Sequence, residues 1–219
     1  VHGDDDQGSG SGSVLVWERM NTSTSFAEVT PIKLLDPNGS DGDSLGLGGP
    51  ALSADGLVLV AASPFDSNNS SGSMGSVFVW ERENTSTSFA DVLAVHVVDP
   101  DGSADDKLGY GGPSLSADGL LLAVTSFGDD ENGADSGSVS LWERANASIS
   151  FLDVVPVKVL DPNGSGGDYF GFGGPSLSAN GRVLAVASHN DNDKGSSSGS
   201  VSIWESICQS GYLPPLCIS

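Results

Sequence analysis

Three acidic turns of one design punctuate the chain: Asp36-Pro-Asn-Gly-Ser-Asp-Gly-Asp43, Asp99-Pro-Asp-Gly-Ser-Ala-Asp-Asp106 and Asp161-Pro-Asn-Gly-Ser-Gly-Gly-Asp168. Calcium takes about six to eight oxygen ligands, and Asp and Asn side chains with glycine-loop carbonyls supply several. Asp36, Asn38 and Asp43, and likewise Asp161, Asn163 and Asp168, are therefore the candidate calcium ligands. The same phrase is also turn chemistry in its own right, because Asp and Asn side chains hydrogen-bond their own backbone two residues on. At the level of sequence, turn and metal site both stand.

A second acidic set lies in loops that differ from copy to copy: Asp4-Asp5-Asp6, Asp66 with Asn68 and Asn69, Asp129-Asp130-Glu131, and Asn190-Asp191-Asn192-Asp193. Clustered carboxylates repel one another unless counter-charged, which favours a cation there; a solvated acidic loop is the plainer reading. Variable loops on a repeated scaffold are where recognition is usually placed. His2 and His189 precede two of these loops, where the other copies carry Pro64 and Phe127. A His beside Asp is a zinc-ligand or acid–base pair, or else drift at a strand end. No Ser/His/Asp or Cys/His set is confined to one copy, so a hydrolase or lyase has no singular residues to carry it.

The elements that position these loops are copies of one unit. Trp17, Trp80, Trp142 and Trp204 close the phrases GSVLVWER, GSVFVWER, GSVSLWER and GSVSIWES. Self-similarity at a fixed period moves the question to what a stack of such units does. Each unit reads as four short extended segments. The first ends in Leu52, Leu115 or Leu177 and runs into Asp55-Gly56, Asp118-Gly119 or Asn180-Gly181, two-residue hairpin signals that call for positive φ at both central positions. The second (Leu57 to Ala62, Leu120 to Val124, Val183 to Ala187) is continuously apolar, which suits a strand covered on both faces.

In the third segment Val14/Val16, Val77/Val79, Val139/Leu141 and Val201/Ile203 alternate with variable residues, so one face is core in every copy. All four tryptophans share a slot and are expected to be packing residues. The fourth segment carries Pro31 and Pro156, which suits an outer edge, and places Lys33, His96 and Lys158 in one slot expected to face water. Glycine-rich first segments such as Phe170-Gly171-Phe172-Gly173-Gly174 suit a crowded centre with close backbone approach.

Four antiparallel strands from crowded centre to exposed edge, repeated in tandem, describe the blades of a β-propeller in an all-β protein. A β-solenoid is the runner-up. Asp168-Tyr169-Phe170-Gly171, then SLSANGRVLAVAS and GSVSIWE, resembles the FG-GAP repeat of integrin α-like propellers, in the divergent form of microbial and algal surface proteins. The resemblance covers residues 1–206: a partial blade over 1–40, repeats over 41–103 and 104–165, and a partial repeat over 166–206. Residues 207–219 match no part of the unit. The family's calcium loop lies in the hairpin between the first two strands; here that hairpin is only Ser-Ala-Asp-Gly or Ser-Ala-Asn-Gly, so the site does not carry over.

The chain opens with the last two strands of a unit and ends after the third strand of another, which reads as a fragment of about three to four blades. In a compact alternative, the first two strands of the last unit join the two N-terminal strands to close a fourth blade.

A net charge of −21 on 22.2 kDa excludes a general phosphate-binding surface, and with it nucleic acid and anionic membrane as partners. No apolar run is long enough to span a bilayer. Asn21, Asn38, Asn68, Asn69, Asn84, Asn146 and Asn163 begin N-x-S/T triplets, and Asn21, Asn84 and Asn146 share one slot beside the outer strand. These three are the expected glycosylation sites of a secreted or cell-surface protein. Cys208 and Cys217 form either a disulfide clip or two free thiols, and lack the partners of a structural zinc site.

The resemblance implies an extracellular, non-enzymatic binding or adhesion module that meets a protein or glycan through its loops. A structural spacer or incomplete gene product is the alternative, and a calcium-stabilised domain the third. Further blades or self-association would complete the fold.

Overall fold

The computed structural model describes residues 1–68 and 72–205. Cys208 and Cys217 lie outside the described residues. The strands are β1 (Val14–Val16), β2 (Ile32–Leu34), β3 (Ala51–Leu52), β4 (Val58–Ser63), β5 (Ser76–Glu81), β6 (Val95–Val97) and β7 (Ser114–Leu115). β8 (Leu121–Ser126), β9 (Ser138–Glu143), β10 (Val157–Val159), β11 (Ser176–Leu177), β12 (Val183–Ser188) and β13 (Ser200–Glu205) follow. No α-helix occurs among the described residues.

Four antiparallel sheets result: β1-β2, β3-β4-β5-β6, β7-β8-β9-β10 and β11-β12-β13. Each is a meander in chain order, unlike the coil of a β-solenoid. β12 pairs with β11 and β13, and neither β11 nor β12 pairs with β1 or β2, so the four-blade closure does not form.

The first turn of each unit is wider than the expected two-residue hairpin. Gly56 N–H donates to Ser53 C=O at 3.0 Å, Ser53 N–H then pairs with Val58 C=O, and of the two residues in the Asp-Gly step only Gly56 has positive φ. Side chains hold the wider loop: Ser53 Oγ donates to Asp55 and accepts from Val58 N–H. Ser116 and Ser178 repeat the arrangement. The prolines stand just before β2 and β10, where a missing N–H interrupts no ladder.

Each sheet packs face to face on the next. Val14 and Leu34 of the first sheet meet Leu45, Leu59, Phe78, Trp80 and Phe89 of the second. Val60, Val77, Val79 and Val97 of the second meet Leu122, Val124, Trp142 and Phe151 of the third. Val139 and Val159 of the third meet Phe170, Leu184 and Val186 of the fourth. The valines of each third strand thus look forward and the tryptophan looks back. That geometry corrects the expectation for one tryptophan: Trp80 and Trp142 are buried, but Trp17, with no sheet behind it among the described residues, is 44 % exposed. At the other end Val201 and Ile203, whose counterparts Val77, Val79 and Val139 are fully buried, are 63 % and 62 % exposed.

A charged relay links the tryptophan phrases. Arg82 bonds Glu18 of the preceding unit at 2.7 Å, and buried Arg144 pairs with Glu81 in the same way. Each guanidinium also covers a phenylalanine, Phe89 or Phe151, at 4.3 Å from the ring centre, and bonds the carbonyl of Gly56 or Gly119. At the inner ends, successive turns join through Ala54 N–H to Ala117 C=O and Ala117 N–H to Ala179 C=O, both 2.8 Å. The glycines there meet backbone to backbone, Gly48 against Gly112 and Gly111 against Gly174, where no Cβ would fit.

Candidate functional site

One end of the sheet stack gathers both acidic sets. The loop after each second strand lies along the acidic turn that leads to the next sheet. Leu45 N–H donates to Ser11 C=O, Leu108 N–H to Met74 C=O and Phe170 N–H to Ser136 C=O, all at 2.9–3.0 Å.

Within the turns, carboxylates cap backbone. Asp36, Asp99 and Asp161 accept from the N–H of Asn38, Asp101 and Asn163, while Asp43, Asp106 and Asp168 accept from Ser40, Ser103 and Ser165. Asn38 and Asn163 contribute the amide N–H to this capping. Among the described residues, no group of three or more His, Cys, Asp or Glu side chains is arranged to hold a metal ion.

The lysine and histidine slot does not simply face water. Lys158 reaches inward to Asp129 at 2.7 Å, Glu131 at 3.1 Å and Asp99 at 3.7 Å. Lys33 does the same with Asp4 and Asp6. His96 stacks on Phe78 with its Nε2 3.4 Å from Asp66 Oδ2, too poorly aligned for a hydrogen bond. For the two lysines the physical reason is charge: a cation beside loop carboxylates gains more than one in water, and its stem covers the sheet.

The carboxylates respond accordingly. Burial pushes Asp129 up, but the Lys158 hydrogen bond, the Glu131 amide and the Ser138 hydroxyl outweigh it and leave Asp129 below the usual range. Asp66 is lowered likewise, with His96 and the Asn68 amide against burial. Asp36 and Asp43 are raised by burial. Asp106 is pushed up to about 6, by burial first, with Asp129 adding repulsion.

A row of aromatic rings runs along the same end, and sequence reading missed it. Tyr110 packs against Phe65, Phe127 and Phe172 at 6.0, 5.0 and 5.0 Å between centres. Tyr169 and His189 continue the row, His189 lying 4.9 Å from Phe172 and stacked on Tyr169 at 5.8 Å. His189 therefore serves as a ring here and, among the described residues, meets no carboxylate at ion-pair distance. Tyr110 and Phe172 share one repeat slot and Phe127 and His189 another, but each slot is aromatic in only some copies (Leu47 and Pro64 stand there in the second unit), and contacts within a unit alternate with contacts between units, Phe65 to Tyr110 and Tyr110 to Phe172. Phe172 is 37 % exposed at the solvent side.

Asn21, Asn84 and Asn146 are exposed at the opposite side of the third strands, each side-chain oxygen accepting from the N–H of Ser23, Ser86 or Ser148. No helix of the described residues is long and apolar enough to cross a membrane. No protein-family model matches the chain, and no curated protein matches it.

Proposed function

We propose that the four sheets are FG-GAP-like β-propeller blades and that the chain is a non-enzymatic extracellular binding or adhesion module. The ordered meanders, the forward valines and backward tryptophans, and the glycines crowded at the inner ends support the blade reading. One observation carries the functional reading: acidic loops and a partly exposed aromatic row share one end of a scaffold whose middle sheets are packed on both faces. Aromatic faces and carboxylates together suit a glycan, through ring stacking and hydroxyl hydrogen bonds, or a basic protein surface. Solvent-directed Asn21, Asn84 and Asn146 support a secretory route.

Binding of the chain to a glycan array and to a panel of basic extracellular proteins tests this reading. Saturable binding weakened about tenfold or more by Phe172→Ala is the expected outcome. Absence of binding across both panels returns the chain to a structural spacer.

A further inference from the structure

Three acidic loops are built alike and met by different cations. The backbone carbonyls of Asp4, Asp66 and Asp129 accept from Gly12, Gly75 and Gly137 N–H, each at 2.9 Å. One carboxylate oxygen of each Asp accepts the N–H two residues on, from Asp6, Asn68 and Glu131. The other oxygen faces the middle residue of β2, β6 or β10 in its own sheet: Lys33 at 2.6 Å, His96 at 3.4 Å and Lys158 at 2.7 Å. These three share one register, Lys33 opposite Leu15, His96 opposite Phe78 and Lys158 opposite Ser140.

The second sheet departs from the pattern at two slots together. Each lysine holds a second acidic side chain of its loop, Lys33 with Asp6 at 2.9 Å and Lys158 with Glu131 at 3.1 Å. Where Asp6 and Glu131 stand, the second sheet has Asn68, whose side-chain amide donates to Gly75 C=O. A fixed cation thus faces two loop carboxylates, and the titratable ring faces one. His96 Nε2 is buried without a hydrogen-bond partner, while the side chain as a whole is 39 % exposed and open to protons from solvent. Stacking on Phe78, 4.9 Å between centres and 15° between planes, holds the ring beside Asp66. Asp36, on the turn that arrives from the first sheet, also acts on His96, as Asp99 does on Lys158 at 3.7 Å; Asp43 lies beside Asp36 and Asp66. Burial raises Asp36 and Asp43. It raises Asp66 too, but His96 and the Asn68 amide outweigh it and keep Asp66 below the usual range, ionised wherever a histidine titrates.

We propose that His96 is a pH-operated clamp on Asp66: protonated, it donates from Nε2 to Asp66 and supplies the counter-charge that Lys33 and Lys158 give their loops permanently, and neutral, it leaves Asp66 without a cation among the described residues. Histidine is the side chain that ordinarily changes charge between about pH 5 and 8, so one of three strand-to-loop clamps closes in acid and opens toward neutrality. The ion pair exists only with the proton on, so it adds stability as pH falls through that range and loses it as pH rises. The clamp stands on the sheet geometry and not on the binding reading above.

The test compares Tm from pH 8 to pH 5 for the full chain, His96→Lys and His96→Gln, each with and without Asp66→Asn. His96→Lys should stand about 2–4 °C above the unaltered chain at pH 8 and level with it at pH 5. His96→Gln should match the unaltered chain at pH 8 and fall below it by a similar margin at pH 5. With Asp66→Asn in place, neither gap should change with pH. Protonation of Asp106 is common to every form and cancels in the differences. In the unaltered chain, the Asp66 carboxyl resonance should move in step with the His96 imidazole. Gaps that stay constant from pH 8 to pH 5, or that change as much with Asp66→Asn, overturn the proposal. So does an Asp66 resonance blind to the His96 titration, a reading that needs no variant to fold.

Discussion

Lys158 Nζ lies 2.7 Å from Asp129 Oδ2, so the cation of an outer strand neutralises the acidic loop of its own sheet. Burial alone would lower the Lys158 pKa, but Asp129, Asp99 and Glu131 reverse the direction and raise it. Lys158→Met should therefore raise the Asp129 pKa, read by carboxyl NMR titration, and lower Tm at pH 7. An unmoved Asp129 would mean that the pair is not formed in solution.

Two groups of carboxylates pull the pH profile in opposite directions. Asp106 is raised to about 6 from 3.8, so the folded chain holds this proton more tightly than the unfolded one, and stability rises as pH falls from about 6 toward 3.8. Asp129, Asp66 and Asp4 are depressed, so their contribution is present above 3.8 and is lost as pH falls below it. Tm should increase from pH 7 to pH 5 and collapse below pH 4. Asp106→Asn should raise Tm at pH 7 and flatten the upper limb. A Tm that falls steadily from pH 7 to pH 5 contradicts the assignment.

The tryptophan slot separates middle sheets from terminal ones. Trp142 is 1 % exposed, and Trp142→Ala should cost about 3–5 kcal/mol in urea unfolding. Trp17→Ala, at an exposed site, should stay within about 1 kcal/mol. Equal costs would place a covering surface over Trp17.

Arg144 is fully buried against Glu81 and the carbonyl of Gly119, and Arg144→Ala leaves both without their partner. A loss of about 3 kcal/mol is expected, with Arg144→Lys recovering little because the fork is lost.

Strand number, order and the forward valine face were legible in the sequence because period two and the repeat register act within one unit. What lay between units was not. The exposure of Trp17 and the burial of Lys158 depend on which sheet stands behind and which loop folds over, and a repeat slot records neither. The aromatic row joins Phe65, Tyr110, Phe127, Tyr169, Phe172 and His189 from four slots that are aromatic in only some copies, so aligning copies made each look like drift at one slot. The acidic turns could be read as caps or as ligands, since both uses need the same Asp and Asn spacing.

For those turns, capping by Asp36, Asn38, Asp43, Asp161, Asn163 and Asp168 predicts a calcium-induced Tm shift below about 2 °C. A larger shift, reversed by chelator and unmatched by magnesium, would make these residues ligands.

Amide hydrogen exchange on the free chain tests the stacked-sheet architecture most directly. Val139, Ser140 and Leu141 of β9, covered by strands on both sides, should exchange near the global unfolding limit, while Val201, Ser202 and Ile203 of β13 exchange at least about a hundredfold faster. Equal protection of the two sets would contradict the pairing of β13 with β12 alone among the described residues, and with it the sheet order on which the blade reading stands.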